Sequence, residues 1–427
     1  MKRFINDTVF DREIVDTVFE AASGAIEAIK EHGDAAVVNG AFGTYFDEHG
    51  KLLTFTNVYE TFDAVDVVQK AKYASSIYGP PEYQAAVKSW LFGSHPMALE
   101  AEVIATPGGT GALASTVKNA LSPGEILIQP NIGWGPYTTI AKEAQTPVET
   151  YEMFDGDRFH LESFKNVTES VMKRQGKVVI FVNDPCQNPT GYTLSSEEWD
   201  GIVKTLIELN TQGPVVFVYD VAYIDFNGLK DAYKRNFERF YQLPENILTV
   251  IAFSASKTMT AYGMRVGAQV LVSSNAPELR RFKSACGNTA RGVWSTVNNG
   301  GMKMFSDIAL DEAKKARYQE EREAYLTLLS DRAQMFVDEA QACNLPLYPY
   351  HEGFFATIRV DDPVLKNELH LALKKHHIFF VNVYGGLRVA LCSIPLPKMR
   401  GLAWRVKRVL DALIEEKPLE INEKKEA

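Results

Sequence analysis

Five short segments in the middle of the chain are almost continuously apolar and rich in β-branched residues. They span residues 126–129, 177–182, 214–219, 247–253 and 267–272. Strands that lack polar/apolar alternation are buried on both faces, as in a parallel or mostly parallel sheet covered by helices. Helical patterns lie between several of these segments, at residues 113–121 and 196–209. The chain is therefore predicted to have an α/β fold.

A second pattern follows the apolar segments. Residues 311–342 are charge-rich, with apolar residues near helical spacing, and predict one long helix. Beyond it, residues 353–360 and 386–391 have the pattern of strands on either side of a helix at 364–376. This part of the chain is predicted to form a smaller α+β lobe.

The length of 427 residues suits two or three domains rather than one. We expect the residues that precede the sheet pattern to join the α+β lobe. The predicted small domain therefore combines residues 1–52 with residues 316–427, and the predicted large domain spans residues 53–315.

The composition excludes several classes of protein. A hydrophobic fraction of 46% and a charged fraction of 23% are near globular averages, which excludes a disordered chain, a collagen-like fibre or a small disulfide scaffold. The formal net charge of -9 argues against nonspecific binding to nucleic acid or to an anionic membrane. No apolar run approaches the ~18 residues that span a bilayer.

The four cysteines are scattered along the chain at Cys186, Cys286, Cys343 and Cys392. They form no CxxC pair and no metal-ligand spacing, so we expect reduced thiols and no metal site. Charged residues interrupt the apolar stretch that a signal peptide would need near the start of the chain. The predicted compartment is the cytoplasm.

Lys257 directly follows one of the apolar segments, in the sequence Ser254-Ala-Ser-Lys. It is therefore expected at the carboxyl edge of the sheet, where α/β proteins bind ligands. Desolvation there lowers the pKa of an amine and makes it a better nucleophile towards a carbonyl group. A solvated loop lysine would give the same local pattern.

Three further turns carry polar residues. Asp220 ends another apolar segment, where it could cap a helix or hold the pyridine nitrogen of pyridoxal phosphate protonated. Residues 183–191 contain Asn-Pro and Thr-Gly, which by themselves indicate turns. Residues 107–112 open a helix with glycines, whose N–H groups could approach a phosphate or form only a tight turn.

Together these four motifs resemble the class I aminotransferases, pyridoxal-phosphate enzymes of fold type I. The resemblance depends on Asn188-Pro-Thr-Gly, Asp220-x-Ala-Tyr, and Ser254-x-Ser-Lys with Arg265 eight residues after the lysine. The resemblance extends over nearly the whole chain. Within the family, the sequence is similar to the aspartate and aromatic aminotransferase branch. It implies a large domain with a mostly parallel seven-stranded sheet, a smaller α+β domain, and a homodimer with shared active sites.

The resemblance also implies roles in a pyridoxal 5'-phosphate site. Lys257 would bind the cofactor covalently and later move a substrate proton, with Asp220 on the ring nitrogen. Tyr223 and Asn188 would hydrogen-bond the ring hydroxyl oxygen, and Trp134 would stack on the ring. The residues that it assigns to the phosphate are Gly109, Thr110, Ser254 and Arg265, with Tyr78 of the partner subunit.

On the substrate side, the resemblance implies that Arg388 binds the α-carboxylate in a pocket that Gly43 and Asn188 also line. Arg291, in Arg-x-x-Trp-Ser, would reach across the dimer to a distal carboxylate. The alternative is that Arg291 only pairs with an acid at the dimer interface.

The chain departs from the family pattern at three places. Thr-Val-Asn stands at 296–298 where Asn-Pro-Pro is usual, Gly-Pro-Tyr137 follows Trp134 where Asn-His is usual, and Gly108 replaces a common serine.

The predicted function is transfer of an amino group from an L-amino acid (aspartate, glutamate or aromatic) to a 2-oxo acid such as 2-oxoglutarate. One alternative is a lyase or decarboxylase that uses the same cofactor, because a fold does not fix a reaction. Another is a noncatalytic sensor of the cofactor or of an amino acid. The presence of Lys257, Asp220 and Arg388 argues against the sensor.

Overall fold

A computed structural model describes residues 16–228 and 236–415. The helices of these residues are α1 (Thr17–His32), α2 (Thr56–Ala64), α3 (Val67–Ala71), α4 (Pro81–Phe92), α5 (Met97–Glu100), α6 (Gly108–Ala120), α7 (Pro136–Glu143), α8 (Leu161–Gln175), α9 (Ser196–Leu209), α10 (Ala255–Thr258), α11 (Ala276–Val293), α12 (Asn299–Leu310), α13 (Glu312–Ala342), α14 (Pro363–Lys375), α15 (Leu396–Met399) and α16 (Leu402–Ile414).

The strands are β1 (Val38–Asn39), β2 (Glu102–Pro107), β3 (Leu127–Pro130), β4 (Val148–Tyr151), β5 (Phe154–Asp155), β6 (Arg158–Phe159), β7 (Val178–Asn183), β8 (Val215–Asp220), β9 (Ile247–Ser254), β10 (Val266–Val272), β11 (Phe355–Arg359), β12 (Ile378–Phe379), β13 (Val381–Val383) and β14 (Gly386–Ala390).

The described residues form two compact units, and the larger comprises Leu53–Thr327 and His351–Gly353. It is built on a seven-stranded sheet with strand order β2-β10-β9-β8-β7-β3-β4. Strands β4, β3, β7, β8 and β9 are parallel, and β10 is antiparallel to both of its neighbours, β9 and β2. The predicted fold class, with a mostly parallel seven-stranded sheet, is confirmed.

The five apolar segments form β3, β7, β8, β9 and β10, within one or two residues of their predicted limits. Every residue of β7 is buried, because helices cover both faces of the sheet there. Helix α6 packs against β9 and β10, and α8 packs against β4 and β7. Helix α9 begins with a capping box between Ser195 and Glu198.

The smaller unit comprises residues 16–52, Leu328–Tyr350 and residues 354–415. It contains a three-stranded antiparallel sheet, β11-β14-β13, and a parallel pair, β1-β12. Helix α1 packs against β12 and β13, and α14 packs against α16. This unit has the predicted α+β composition.

One buried side chain connects three segments of the smaller unit. Arg332, on α13, has no exposed side-chain surface, and its Nε donates to Glu48 Oε1 over 2.9 Å. Its Nη1 donates to the carbonyl oxygens of Phe46 and Cys392, both over 2.9 Å. The guanidinium is therefore paired with a carboxylate and bonded to two segments that are distant in sequence.

The two units divide at 52/53 and at 327/328. The second division lies inside α13, whereas the predicted limit at 315/316 lies near the start of that helix. The domain limits 1–52, 53–315 and 316–427 stay predictions. No helix within the described ranges combines the length and the apolar content needed to cross a membrane.

Candidate active site

The carboxyl ends of three adjacent strands bring polar side chains together in the larger unit. Asn183 ends β7, Asp220 ends β8 and Ser254 ends β9. Asn183 and Asp220 are directly opposite each other in the parallel register. Lys257 follows in the short helix α10. Ligands bind at this edge of α/β sheets because parallel strands all end there.

A cavity of about 270 Å³ opens at this edge. It is lined by Gly109, Thr110, Leu113, Trp134, Asn183, Asn188, Asp220, Ala222, Tyr223, Ser254, Ser256, Lys257 and Arg265. All the cofactor-site residues predicted from the sequence, except Tyr78, therefore line one cavity.

Asp220 is a buried carboxylate among the residues that line this cavity, with 5% of its surface exposed. The hydroxyl of Tyr137 donates to its Oδ2 over 2.6 Å, and the N–H of Ala222 donates to its Oδ1 over 3.1 Å. Burial raises the pKa of Asp220 to about 6, and the hydrogen bond from Tyr137 opposes that shift. Asp220 can therefore be ionised near neutral pH and bind a cationic N–H group.

The Asn-Pro-Thr-Gly turn is held against the ends of β7 and β8. Asn183 accepts a 2.8 Å hydrogen bond from the backbone N–H of Asn188 and donates to the carbonyl oxygen of Asp220 over 2.9 Å. The amide of Asn188 in turn donates to the Tyr223 hydroxyl over 3.3 Å. Two donor groups, the Asn188 amide and the Tyr223 hydroxyl, thus lie side by side on the cavity wall.

Asp184, which follows Asn183 in the chain, is also buried. Its carboxylate accepts hydrogen bonds from the Leu194 N–H over 2.7 Å, from Trp199 Nε1 over 3.2 Å and from the Tyr219 hydroxyl over 3.3 Å. Burial nevertheless raises the pKa of Asp184 to about 7. Asp184 therefore connects the end of β7 to α9 and β8, outside the cavity.

The Lys257 amine lies between two tyrosine rings. Its Nζ atom is 4.7 Å from the ring centroid of Tyr262 and 6.0 Å from that of Tyr223. Aromatic faces attract a cationic amine. This arrangement keeps the amine within the cavity, where an electrophilic carbonyl could reach it.

The opposite side of the cavity is suited to an anion. The thirteen-residue helix α6 begins at Gly108, so its first N–H groups have no partner within the helix. Arg265 lies beside this helix start, and its Nη2 donates to the Pro107 carbonyl oxygen over 3.3 Å. Its Nη1 donates to Ser256 Oγ over 3.2 Å and to the Tyr262 carbonyl oxygen over 3.0 Å.

The glycines at the start of α6 let the side chains of Arg265 and Ser254 lie close to the helix start. A Cβ atom on Gly108, which has φ +74°, would come within 2.5 Å of Arg265, and a Cβ on Gly109 would lie 3.3 Å from Ser254 Cβ. Backbone N–H groups, a hydroxyl and a guanidinium therefore converge on a space that larger residues would fill. A phosphate dianion fits this donor set.

Trp134 lines the cavity from the loop before α7. Its ring lies 5.5 Å from that of Tyr137, at an interplanar angle of 87°. An edge-to-face pair of this kind fixes an indole plane, which could then cover one face of a bound aromatic ring.

Two predicted residues of the larger unit do not line the cavity of their own chain. Tyr78 packs against the hydrophobic core, with Lys283 Nζ 4.9 Å from its ring centroid. A Cβ on Gly287 would come within 2.5 Å of its hydroxyl oxygen. Arg291 is exposed in the last turn of α11 and donates to Ser295 Oγ over 2.5 Å.

The two remaining substrate-site predictions belong to the smaller unit. Arg388 is buried on β14, where its Nη2 donates to the Ala41 carbonyl oxygen over 2.7 Å and its guanidinium lies 4.3 Å from the Phe355 ring centroid. A Cβ on Gly43 would lie 3.1 Å from Phe355 Cζ. Gly43 and Arg388 thus lie against the same phenylalanine.

Sequence reasoning missed two contributors to the cavity region. The local sequence indicates only a turn at Asn183, although the end of an apolar strand is a position that places polar residues at the sheet edge. Tyr137 differs from the family pattern, but nothing in the sequence indicates its contact with Asp220. Its bond to Asp220 joins residues 83 positions apart, which no local pattern indicates.

The residues present fit pyridoxal phosphate. Lys257 can bond its aldehyde carbon, Asp220 can pair with its ring nitrogen, and the start of α6 with Arg265 can bind its phosphate. A nucleophilic lysine, a buried carboxylate and an anion cradle at the edge of a mostly parallel sheet define a pyridoxal-phosphate enzyme of fold type I.

Comparison with known proteins identifies the family. The family described as "Aminotransferase class I and II" matches residues 36–406, and the chain belongs to it. An aminotransferase from Anaerococcus prevotii is 32% identical, with a TM-score of 0.89 over 95% of this chain and 99% of that one.

Curated relatives are less similar in sequence. An aspartate aminotransferase from Salmonella typhi is 26% identical over 71% of this chain and 76% of that protein. An aromatic-amino-acid aminotransferase from Escherichia coli is 26% identical over 78% of this chain and 84% of that protein. The chain is a pyridoxal-phosphate-dependent transaminase, and the lyase and sensor alternatives are not favoured.

Proposed function

We propose that this enzyme transfers the amino group of aspartate, glutamate or an aromatic L-amino acid to a 2-oxo acid such as 2-oxoglutarate. The observation that carries the proposal is the single cavity shared by Lys257, Asp220 and Arg265. The names of the relatives, which include aspartate, tyrosine and aromatic-amino-acid aminotransferases, support the range of donors.

In this proposal each polar group of the cavity has one task. Lys257 Nζ would hold the cofactor covalently, and its free amine would take up the proton that leaves the substrate Cα and deliver it to the cofactor carbon C4′. Asp220, as a carboxylate, holds the ring N–H. The bound cofactor supplies the electron sink that lowers the barrier to Cα–H cleavage.

The neighbouring groups hold the ring in place for that proton transfer. Tyr223 and Asn188 donate hydrogen bonds to the ring oxygen, which stabilises its anionic form. Trp134 covers one ring face. The phosphate is bound by Gly109, Thr110, Ser254 and Arg265. A reacting group fixed at several points loses less entropy at the transition state.

The substrate carboxylates are assigned to two arginines. Arg388 binds the α-carboxylate as a bidentate fork, and Gly43 and Asn188 are the other residues assigned to substrate binding. Arg291 of the partner subunit binds the distal carboxylate of aspartate or glutamate. Within its own chain, the Arg291 side chain is held at the end of α11 by a 2.5 Å hydrogen bond to Ser295 Oγ.

We also propose a homodimer in the cytoplasm. Tyr78 lies outside the cavity of its own chain, which supports a role in the active site of the second subunit. All four cysteines are buried and free, as expected of a protein from a reducing compartment. The reaction would belong to amino-acid metabolism, including biosynthesis.

The test is a half-reaction with each amino acid in the absence of an oxo acid. A transaminase releases one equivalent of oxo acid per site and then stops until 2-oxoglutarate is added. The panel contains aspartate, glutamate, tyrosine and phenylalanine, with the D-enantiomers as controls. Continuous turnover without an oxo acid would instead indicate a lyase or decarboxylase, and no release would contradict the proposal.

A further inference from the structure

Tyr137 contacts two side chains that the proposed function places on the cofactor ring, although Tyr137 itself does not line the cavity. We propose that Tyr137 is a positioning residue that fixes both the Asp220 carboxylate and the Trp134 indole. This inference rests on the proposed function, in which Asp220 and Trp134 hold the ring.

The Tyr137 hydroxyl holds the Asp220 carboxylate in place. The Tyr137 hydroxyl lies 2.6 Å from Asp220 Oδ2, and the Ala222 N–H occupies Oδ1. A carboxylate accepts about four hydrogen bonds. These two donors therefore orient the Asp220 carboxylate and still leave acceptor positions for the ring N–H of the cofactor. Without the phenol, the Ala222 N–H would be the remaining donor to the carboxylate among the residues that the structure describes.

The phenol suits this task because it keeps its proton. Tyr137 is 1% exposed, and burial together with the Asp220 charge raises its pKa well above the usual value. The hydroxyl therefore donates to Asp220 without changing charge over the working pH range. The other titratable groups around the pair are Tyr151 and Tyr223, and Lys257 and Arg265 on the cavity wall.

The Tyr137 ring contacts the Trp134 indole. Pro136 starts α7, which places Tyr137 in its first turn and fixes the backbone. The Tyr137 ring is held edge-to-face against Phe181, with centroids 5.0 Å apart, and contacts Trp134 in the same manner. Trp134 lies outside regular structure and is only partly buried, so this contact is a main support of its indole plane.

The two contacts can be separated by substitution. Tyr137→Phe removes the hydroxyl and keeps the ring, and Tyr137→Leu removes both. The matched control is Tyr151→Phe: Tyr151 is equally buried, and its hydroxyl donates to the Phe181 carbonyl oxygen over 3.1 Å, away from Asp220.

The first measurement needs no cofactor. In apoenzyme with ¹³Cγ-labelled aspartate, the Asp220 resonance, assigned with Asp220→Asn, is titrated by NMR. Loss of a donor to the carboxylate raises its pKa, so Tyr137→Phe should titrate at higher pH than wild type and Tyr151→Phe should not. If Tyr137→Phe does not fold, 3-fluorotyrosine at position 137, a stronger donor, should lower the Asp220 pKa. An unchanged Asp220 titration would overturn the hydrogen-bond role.

The second measurement is the dissociation constant of pyridoxal phosphate for each apoenzyme, by fluorescence quenching. Tyr137→Phe should bind roughly ten- to hundredfold more weakly than wild type, the range for a hydrogen bond to a charged group. Tyr137→Leu should bind more weakly again, and equal affinities of these two variants would overturn the ring role. A wild-type protein that fails the half-reaction would contradict the proposed function, while the Asp220 titration would still decide the hydrogen bond.

Discussion

A Cβ atom on Gly108 would lie 2.5 Å from Nη2 of Arg265. That distance is shorter than a Cβ contact permits, so the guanidinium occupies the space that a side chain at position 108 would take. The family's common serine is thus replaced by a residue that lets an arginine close over the start of α6.

Replacement of Gly108 by alanine should therefore displace Arg265 as well as strain the backbone. Gly124 provides a matched control, because its φ is +89° and a Cβ there meets nothing within 4 Å. Both variants should lose about 1–2 kcal/mol of unfolding free energy from the positive φ. Only Gly108→Ala should bind pyridoxal phosphate more weakly, by about tenfold or more. Equal cofactor affinity in the two variants would show that Arg265 does not bind the phosphate.

Lys257→Ala should abolish the covalent link to the cofactor and lower kcat by at least roughly 10²- to 10⁴-fold, the usual contribution of a positioned acid–base group. Borohydride reduction followed by peptide mass spectrometry locates the modified lysine. Lys118→Ala, an exposed lysine on α6, is the control and should keep the adduct. An adduct at another lysine in an active Lys257→Ala protein would refute the assignment.

Hybrid dimers test whether the sites are shared. A Lys257→Ala chain mixed in equal amounts with a Tyr78→Phe, Arg291→Ala chain should regain roughly a quarter of wild-type activity, because half of the dimers are hybrids with one intact site. A mixture of Lys257→Ala with Asp220→Ala, whose defects lie in the same half of the site, should remain inactive. Activity is measured after subunit exchange is verified by native mass spectrometry; exchange without recovery would argue against shared sites.

Arg291→Leu should selectively impair the dicarboxylic donors. The loss of a bidentate bond to the distal carboxylate is expected to lower kcat/KM for aspartate and glutamate roughly ten- to hundredfold and to leave phenylalanine nearly unchanged. Arg281→Leu is the control, since Arg281 is exposed on the same helix and pairs with Glu278. If all three donors change equally, Arg291 has a structural role at the dimer interface.

The unfolding free energy of the apoenzyme should decrease as the pH rises from about 4 to about 7. Burial raises the pKa of Asp184 to about 7 and that of Asp220 to about 6. A carboxyl with a raised pKa binds its proton more tightly in the folded state, so stability is lost as it ionises, by at most about 1.4 kcal/mol per pH unit for each group.

Urea unfolding at a series of pH values checks this prediction. Asp184→Asn should flatten the pH dependence, whereas exposed Asp157→Asn should leave it as in wild type. An Asp184→Asn protein with the wild-type slope would mean that another group is responsible.

The buried strands and the residues at their ends could be predicted from the sequence, because a continuous apolar run indicates a strand covered on both faces. Motifs that directly follow such runs must lie at one edge of a parallel sheet. This placement applies to both Asp220 and Lys257, which are 37 positions apart, whereas their assignment to one cofactor site came from the resemblance to the aminotransferases.

Other features of the fold could not be predicted from the local sequence pattern. Strand β4 is only partly buried at the sheet edge, and β2 begins with a glutamate, so neither gives a continuous apolar run. The composition of β10 does not indicate that this strand is antiparallel to β9 and β2. The contacts of Tyr137 and Arg332 join distant segments and depend on the completed fold.

The buried guanidinium of Arg332 limits how this protein can be cut or rearranged. A fragment that begins after residue 52 would retain Arg332 but lose Glu48 and the Phe46 carbonyl, leaving a cation without its carboxylate in a dry environment, which costs several kcal/mol. The smaller unit would therefore not be obtained from the C-terminal part of the gene alone. To produce the smaller unit by itself, residues 16–52 would have to be joined to its later segments, as in a circular permutation.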